Sequence, residues 1–353
     1  MSASIVSTLS LGQAMLSSVT RAQNQLTQLT AEAGSGEYAD LGLQLGGQNG
    51  YELSLRNQTN LLQSLTTANE LTVTNLKTAQ AALDSIRSAA ESAVSTLTSV
   101  TAGSSSAGST LQDTGTNALQ ELISDTNTTS NGQYVFGGDN SGVAPMADYF
   151  SSTTSAAKSA IDAAFQSAFG FAPTSASAAN ISASAMQSFI SGTLGPLFSG
   201  TNWTNDWSSA SSADVTTQIA PGETATTSTD ANQPGFQQLA EGYAMLTEFG
   251  GSSLSASTQQ TVISAASSLI NQGISSLTAT EATLGLAQTQ VTDASTSMSN
   301  QLTILQTQIG NLDDVNSNQI ATQLNSLQTQ LETAYQLTDQ LQKLSLAQYL
   351  PVA

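Results

Sequence analysis

The sequence predicts a mainly α protein: a long antiparallel helical bundle or coiled coil formed by the N- and C-terminal arms, with a small α+β insert domain in the middle. Two patterns lead there. All nine Phe and both Trp fall between Phe136 and Phe249, and five of the six Pro lie from Pro145 to Pro234, so residues 1–144 and 235–350 contain no proline. Proline costs about 3 kcal/mol in a helix interior. Two long proline-free arms around an aromatic middle therefore read as helix, insert, helix. The second pattern is a seven-residue repeat of apolar positions in both arms, the period of helices wound along one seam. The expected division is 1–144, 145–250 and 251–353.

In the N-terminal arm, Met15, Val19, Ala22, Leu26 and Leu29 step by 4, 3, 4, 3 and mark a first helix. Gly34-Ser35-Gly36 ends it, and the glycines up to Gly50 make an irregular connector. A longer seam follows: Leu62, Leu65, Asn69, Thr72, Leu76, Ala79, Leu83, Ile86, Ala90, Ala93, Leu97 and Val100, with polar lapses at Asn69 and Thr72. At 1.5 Å per residue it is roughly 55–60 Å long. Residues 101–110 read as a loop and 111–125 as a further helix. Tyr134-Val135-Phe136, bracketed by Gly132 and Gly137-Gly138, reads as a short strand at the domain border. Helical patches are expected over 156–169 and 183–190, while 208–233, with Pro221-Gly222, reads as loose.

The C-terminal arm repeats the seam through Leu284, Ala287, Val291, Ala294 and Met298, then Leu302, Leu305, Ile309 and Leu312. It resumes with Ile320, Leu324, Leu327, Leu331, Ala334, Thr338 and Leu341. The eight-residue step from Leu312 to Ile320, just after Gly310, is read as a bend or register shift and not as a break.

Composition narrows the function. Over 353 residues, six Lys+Arg face 25 Asp+Glu, a formal net charge of −19. Charged residues make up 9% of the chain, against about 25% in an ordinary domain, so solubility rests on Ser, Thr, Asn and Gln. Without His or Cys there is no Cys/His metal site, thiol chemistry, disulfide or His-based triad. Six scattered basic residues give no electrostatic footprint for nucleic acid or anionic lipid. No apolar run is long enough for membrane insertion. Residues 1–20 lack a basic n-region and an unbroken apolar h-region, so a cleaved secretory signal is not expected.

Candidate sites are few. Asp313-Asp314 lacks further oxygen ligands for a cation and reads as a solvated helix face or cap. Asp139-Asn140 reads as a turn whose side chains bond their own backbone. Gly34-Ser35-Gly36 has neither the spacing nor the Lys of a phosphate cradle. No catalytic, cofactor-binding or metal residue is assigned, and the chain is not expected to be an enzyme. The seams are flanked by Gln, Thr, Ser and Asn in place of the Glu/Lys pairs that specify a simple dimer. Such helices depend on extensive lateral packing, and low charge reduces repulsion between many copies. This predicts higher-order homo-assembly through Met15, Val19, Leu26, Leu29, Leu324, Leu327, Leu331 and Leu341.

Arg21 through Leu29, the break Gly34-Ser35-Gly36-Glu37-Tyr38, and Leu55-Arg56-Asn57 with the seam to Leu97 resemble the N-terminal arm of the flagellin superfamily. Leu312-Asp313-Asp314-Val315 and Leu324, Leu327, Leu331 and Ala334 resemble its final helix. Within the superfamily, Gly132 through Gly138 with Pro145 downstream resembles the G-x-Y-x-F-x-G turn of hook–filament junction proteins. Leu344-Ser345-Leu346 and Tyr349-Leu350 resemble their terminal S-L-x-x-Y-L signature, whereas filament flagellins end without the Tyr-Leu pair. One departure is the connector, where Tyr38-Ala39-Asp40-Leu41-Gly42 replaces the acidic Asp-Asp-Pro segment.

The resemblance implies a secreted, non-enzymatic subunit of the extracellular bacterial flagellum, at the hook–filament junction, exported unfolded by the type III apparatus and required for motility. It implies that the chain ends pair in the inner layer of a tube while 145–250 projects outward. Leu346, Tyr349 and Leu350 then join the assembly interface, and Gly132, Tyr134, Phe136, Gly137 and Gly138 form a domain-border turn. The implied partners are further copies in a ring or layer, flagellin, hook-associated protein 1 and an export chaperone, with no nucleic acid and no cofactor. Two other readings stand beside it: a filament flagellin, and a secreted coiled-coil adhesin or phage tail component.

Overall fold

Where the arms lack proline, the computed structural model is helical almost without interruption. It describes residues 8–151, 155–251 and 253–349, and the side chains of 8, 9, 11, 341, 342 and 344–349 lie outside the description. The roles expected of Leu341, Leu346, Tyr349 and Leu350 therefore fall outside the described residues. Ten α-helices are described: α1 (Thr8–Ser35), α2 (Leu41–Leu45), α3 (Asn49–Ser99), α4 (Ala107–Thr126), α5 (Ala156–Phe169), α6 (Ala183–Phe189), α7 (Gly200–Asp206), α8 (Pro234–Phe249), α9 (Ala256–Asp313) and α10 (Ser317–Tyr349). Two small antiparallel hairpins join them, β1 (Thr129–Ser130) with β2 (Gln133–Tyr134), and β3 (Thr216–Ala220) with β4 (Glu223–Thr226).

Helix starts follow local chemistry. The side chains of Asp40, Ser155 and Ser182 accept from the amides of Leu43, Lys158 and Ala185, and Asn316 Oδ1 accepts from those of Asn318 and Gln319. Pro234 sits in the first turn of α8, where its missing N–H costs nothing.

The chain forms two compact units. One comprises Leu62–Ser299. Within it α3 and α9 run antiparallel, since Asn69 meets Ser295 and Arg87 meets Glu281. The expected seam is the buried stripe: Leu62, Asn69, Leu76, Ala79, Leu83, Ile86, Ala90, Ala93 and Leu97 on α3, and Leu284, Ala287, Val291, Ala294 and Met298 on α9. Helix α4 lies antiparallel on α8 at very close range, because a Cβ at Gly115 would stand 2.6 Å from both Leu246 Cβ and the Thr247 amide nitrogen. Gly235 and Gly242 bring α8 equally near Leu277 and Ile270 of α9. Both Trp and most of the Phe residues belong to the same continuous core. Phe165 stacks on Phe249 at 5.2 Å, and Tyr149, Trp207 and Trp203 form a stack with centroids 5.2 and 5.7 Å apart.

The other unit comprises the described residues up to Leu61 together with those from Asn300 onward. Here α1 and α10 pack antiparallel around Leu29, Ile320 and Leu327, with Ala22, Leu26, Val315 and Leu324 at the margin. Gln23 Nε2 donates to the Tyr335 hydroxyl at 2.8 Å. The pairing of chain ends that the resemblance implies is present.

Four local expectations are corrected. The step between Leu312 and Ile320 is a true break, with α9 ending at Asp313 and α10 starting at Ser317. Residues 208–233 are not uniformly loose: Pro221-Gly222 turns the β3–β4 hairpin, and Ile219 is buried. The strand expected over Tyr134-Val135-Phe136 is instead Gln133–Tyr134, because the flanking glycines are used for turns. The glycine-rich connector is folded into α2 and a 3₁₀ turn over Gly46–Gln48.

Candidate assembly interface

The surface that the seams single out is built on α1 and α10. Leu29, Leu327 and Leu331 are buried, while Met15, Val19, Leu26 and Leu324 are half-buried. Leu26, Leu29, Leu324 and Leu327 come together in one cluster. Met15 faces Ala334, Thr333 and Leu337 across an apolar groove of about 320 Å³. Several large apolar side chains of this unit stand in solvent, among them Leu16 at 63% exposure, Leu43 at 80%, Leu53 at 57% and Ile304 at 57%. The core that α1 and α10 share is thin, and these apolar side chains stand uncovered beside it.

Asp313 holds the corner where α9 breaks. Of the two readings given for it, a solvated helix face or a cap, the first does not hold: it is 1% exposed, and one carboxylate oxygen accepts from Arg56 Nη2. Arg56 Nε also donates to Glu52, one turn back on α3. That hydrogen bond raises the guanidinium above its ordinary value, opposed by burial and helped by the charge of Asp313. Two backbone bonds then tie the corner to the end of α1. The Tyr38 amide donates to the Asp313 carbonyl at 3.0 Å, and the Val315 amide to the Gly36 carbonyl at 2.9 Å. Beside them Glu32 is buried, accepting at one oxygen from the Gln28 side chain and the Ala39 amide. It borders a polar cleft of about 260 Å³ lined by Gln25, Tyr38, Asn316 and Gln319.

In the other unit the border turn is a compact knot. Phe136 is fully buried and meets Phe236 edge-on at 5.3 Å. Its carbonyl accepts from the Ala231 amide, and the Gly137 carbonyl from the amides of Asn140 and Ser211. Gly138 has φ +59°, and a Cβ there would stand 2.1 Å from the Ser211 carbonyl oxygen, so only glycine fits. Tyr134 pairs with Thr129 across β1–β2, and Gly132 provides the positive φ of the tip. Asn140 does not bond its own backbone as expected; its side chain donates to the Ser209 carbonyl at 2.8 Å.

Nearby, the Tyr149 hydroxyl and Lys158 Nζ share the carboxylate of Glu248, at 2.8 and 2.6 Å, pinning α5 to α8. Burial first and the charge of Glu248 second push the Tyr149 phenol well above its ordinary value. Among the described residues no group of three acidic side chains converges in a way that could hold a metal ion. No described helix is long and apolar enough to cross a membrane.

Two family models match this arrangement of arms. The bacterial flagellin N-terminal helical region matches residues 6–141, and the bacterial flagellin C-terminal helical region matches residues 256–350. Together they take in well over half of the chain. The chain belongs to the flagellin family. No curated protein matches it. A solved structure described as a flagellar hook-associated protein from Vibrio parahaemolyticus is similar over 74% of this chain and 95% of that one, with 11% identity and a TM-score of 0.49. As a flagellin-family protein the chain is a structural subunit of the bacterial flagellum, and the paired helices α1 and α10 lie within the two matched regions.

Sequence reasoning missed the Arg56 clamp of this flagellin-family chain. The available signal was Leu55-Arg56-Asn57, one of six basic positions in the whole chain. It also passed over Asn69, treated as a lapse in the seam. Its side-chain nitrogen donates to the Ile219 carbonyl at 2.8 Å and to Ser295 Oγ at 3.0 Å, holding the β3–β4 hairpin on α3 and α9.

Proposed function

We propose that this chain is flagellar hook-associated protein 3, the hook–filament junction subunit, and not an enzyme. The observation that carries the subunit reading is the antiparallel pairing of α1 with α10 around a thin core, a surface that further copies would complete. The junction position is supported by the Gly132–Gly138 turn and by the terminal Leu344-Ser345-Leu346 and Tyr349-Leu350 residues. In this role Met15, Val19, Leu26, Leu29, Leu324, Leu327, Leu331, Leu341, Leu346, Tyr349 and Leu350 form the inner assembly interface. Residues 145–250 form the outer, variable part, between the arms 1–144 and 251–353. The partners are further copies in a layer, flagellin on one side and hook-associated protein 1 on the other, with a chaperone during type III export.

Deleting the gene and imaging the cells by electron microscopy tests the junction role. Hooks that persist while filaments are shed or never grow support it. Cells that keep full filaments refute it. The second reading, filament flagellin, is favoured by the two matched models being those of flagellin itself, and it predicts many copies along each filament.

A further inference from the structure

We propose that Arg21 on α1 of one copy pairs with Glu332 on α10 of the next, and that this pair sets the side-to-side register of neighbouring subunits. The proposal rests on the subunit reading above and deepens it. Arg21 is the only charged residue of α1 before Glu32, and it is exposed with no ion-pair partner among the described residues. On α10, Asp339 is taken by Lys343 at 2.6 Å, which leaves Glu332 exposed and unpaired among the described residues. Arg21 and Glu332 are thus the exposed charges of this helix pair without an ion-pair partner among the described residues, and they are of opposite sign.

Their placement suits a contact between copies and not within one. The contacts of Tyr38 with Asp313 and of Gln23 with Tyr335 bracket the register of the two antiparallel helices and set Arg21 level with Glu332 to within about one helical turn. Around the helix axes, Arg21 lies about 120° from the α1 seam toward lower residue numbers, and Glu332 about 120° from the α10 seam toward higher ones. Because the helices run in opposite directions, both offsets turn the same way in space. The two side chains therefore point away from each other, on diagonally opposite flanks of the pair. A second copy shifted along that diagonal brings its Glu332 against the first copy's Arg21, and the step repeats. This is a heterologous contact, the kind that builds rings and filaments. The neighbouring exposed residues Ser17, Asn24 and Gln28 on one flank and Asn325 and Gln336 on the other are uncharged, and Asp339, two turns beyond Glu332, is neutralised by Lys343. An exposed ion pair adds little affinity but opposes wrong registers.

The native chain has no cysteine, so cross-linking gives a clean test. The full chain carrying Arg21→Cys and Glu332→Cys is produced in flagellated cells, the sheared flagellar fraction is treated with a short bis-maleimide that spans the gap left by the two long side chains, and the products are run under denaturing conditions. A ladder of dimers and higher multimers is expected from the double variant, with each single variant remaining monomeric. Monomer only from the double variant, or dimers from either single one, overturns the pairing. If the double variant fails to enter the fraction, Arg21→Glu with Glu332→Arg decides. Each single reversal should lower incorporation several-fold and the exchanged pair should restore it, and failure of that restoration overturns the proposal. Absence of the wild-type chain from the flagellar fraction would instead overturn the subunit reading, and this pairing with it.

Discussion

Glu241 on α8 is a carboxylate half-sunk beside Gly195, and burial alone pushes its pKa from 4.5 up to about 7. The folded state therefore favours the protonated acid. Below about pH 4.5 both states are neutral at this position and nothing is lost. As pH rises from there through about 7, the unfolded chain ionises first and stability falls, by on the order of 3 kcal/mol. Glu241→Gln should flatten this slope, which melting temperatures measured from pH 4 to 8 would read; parallel curves for the two proteins would rule the account out. A second single-residue effect belongs to the border turn. Gly138→Ala places a methyl into the Ser211 carbonyl at a left-handed backbone, and should cost about 3 kcal/mol, seen as a lower urea midpoint for this unit.

At the scale of elements, the corner between α9 and α10 depends on Arg56. Removing the guanidinium leaves Asp313, already with one buried oxygen lacking a hydrogen-bond partner, as an uncompensated charge. Arg56→Met should expose the Tyr38 and Val315 amides, whose bonds join the end of α1 to this corner. Amide hydrogen exchange would show their protection falling by tenfold or more, and Asp313→Asn added to Arg56→Met should recover part of it. Unchanged protection would mean the backbone bridge stands without the clamp. The helices themselves rely little on charge. Many exposed threonines, such as Thr74, Thr289 and Thr329, turn their hydroxyls back onto the carbonyl four residues earlier. This leaves helix flanks that are polar but nearly neutral, well suited to lateral packing.

For the whole molecule, the two units differ in how much core they own. The Leu62–Ser299 unit has a continuous core that includes both Trp, whereas α1 and α10 share a handful of buried side chains. Helices gain most of their stability from tertiary packing, so limited proteolysis of the free chain should trim both ends and leave a resistant product close to 62–299, identifiable by mass spectrometry. Equal resistance along the whole chain would contradict this. In cells, Leu327→Asp or Leu331→Asp should abolish incorporation into the flagellum while secretion continues, which assays of motility and of the culture medium would separate.

Periodicity and the proline map were enough to determine the class of fold and the long α3 and α9 with their buried seams, because these depend on patterns repeated many times along the chain. The pairing of the two chain ends followed instead from the flagellin resemblance of both arms. Single polar residues were decided only by tertiary structure. Asp313 looked like surface until Arg56, more than 250 residues away, was brought beside it. Asn69 looked like a flaw until the β3–β4 hairpin supplied a carbonyl for it, and the break after Asp313 looked like a bend because Gly36 and Tyr38, which cap it, come from the other end of the chain. A repeated apolar stripe is legible locally since every turn restates it. A polar group's environment is set by whichever distant segment satisfies its hydrogen bonds, and no local spacing records that choice.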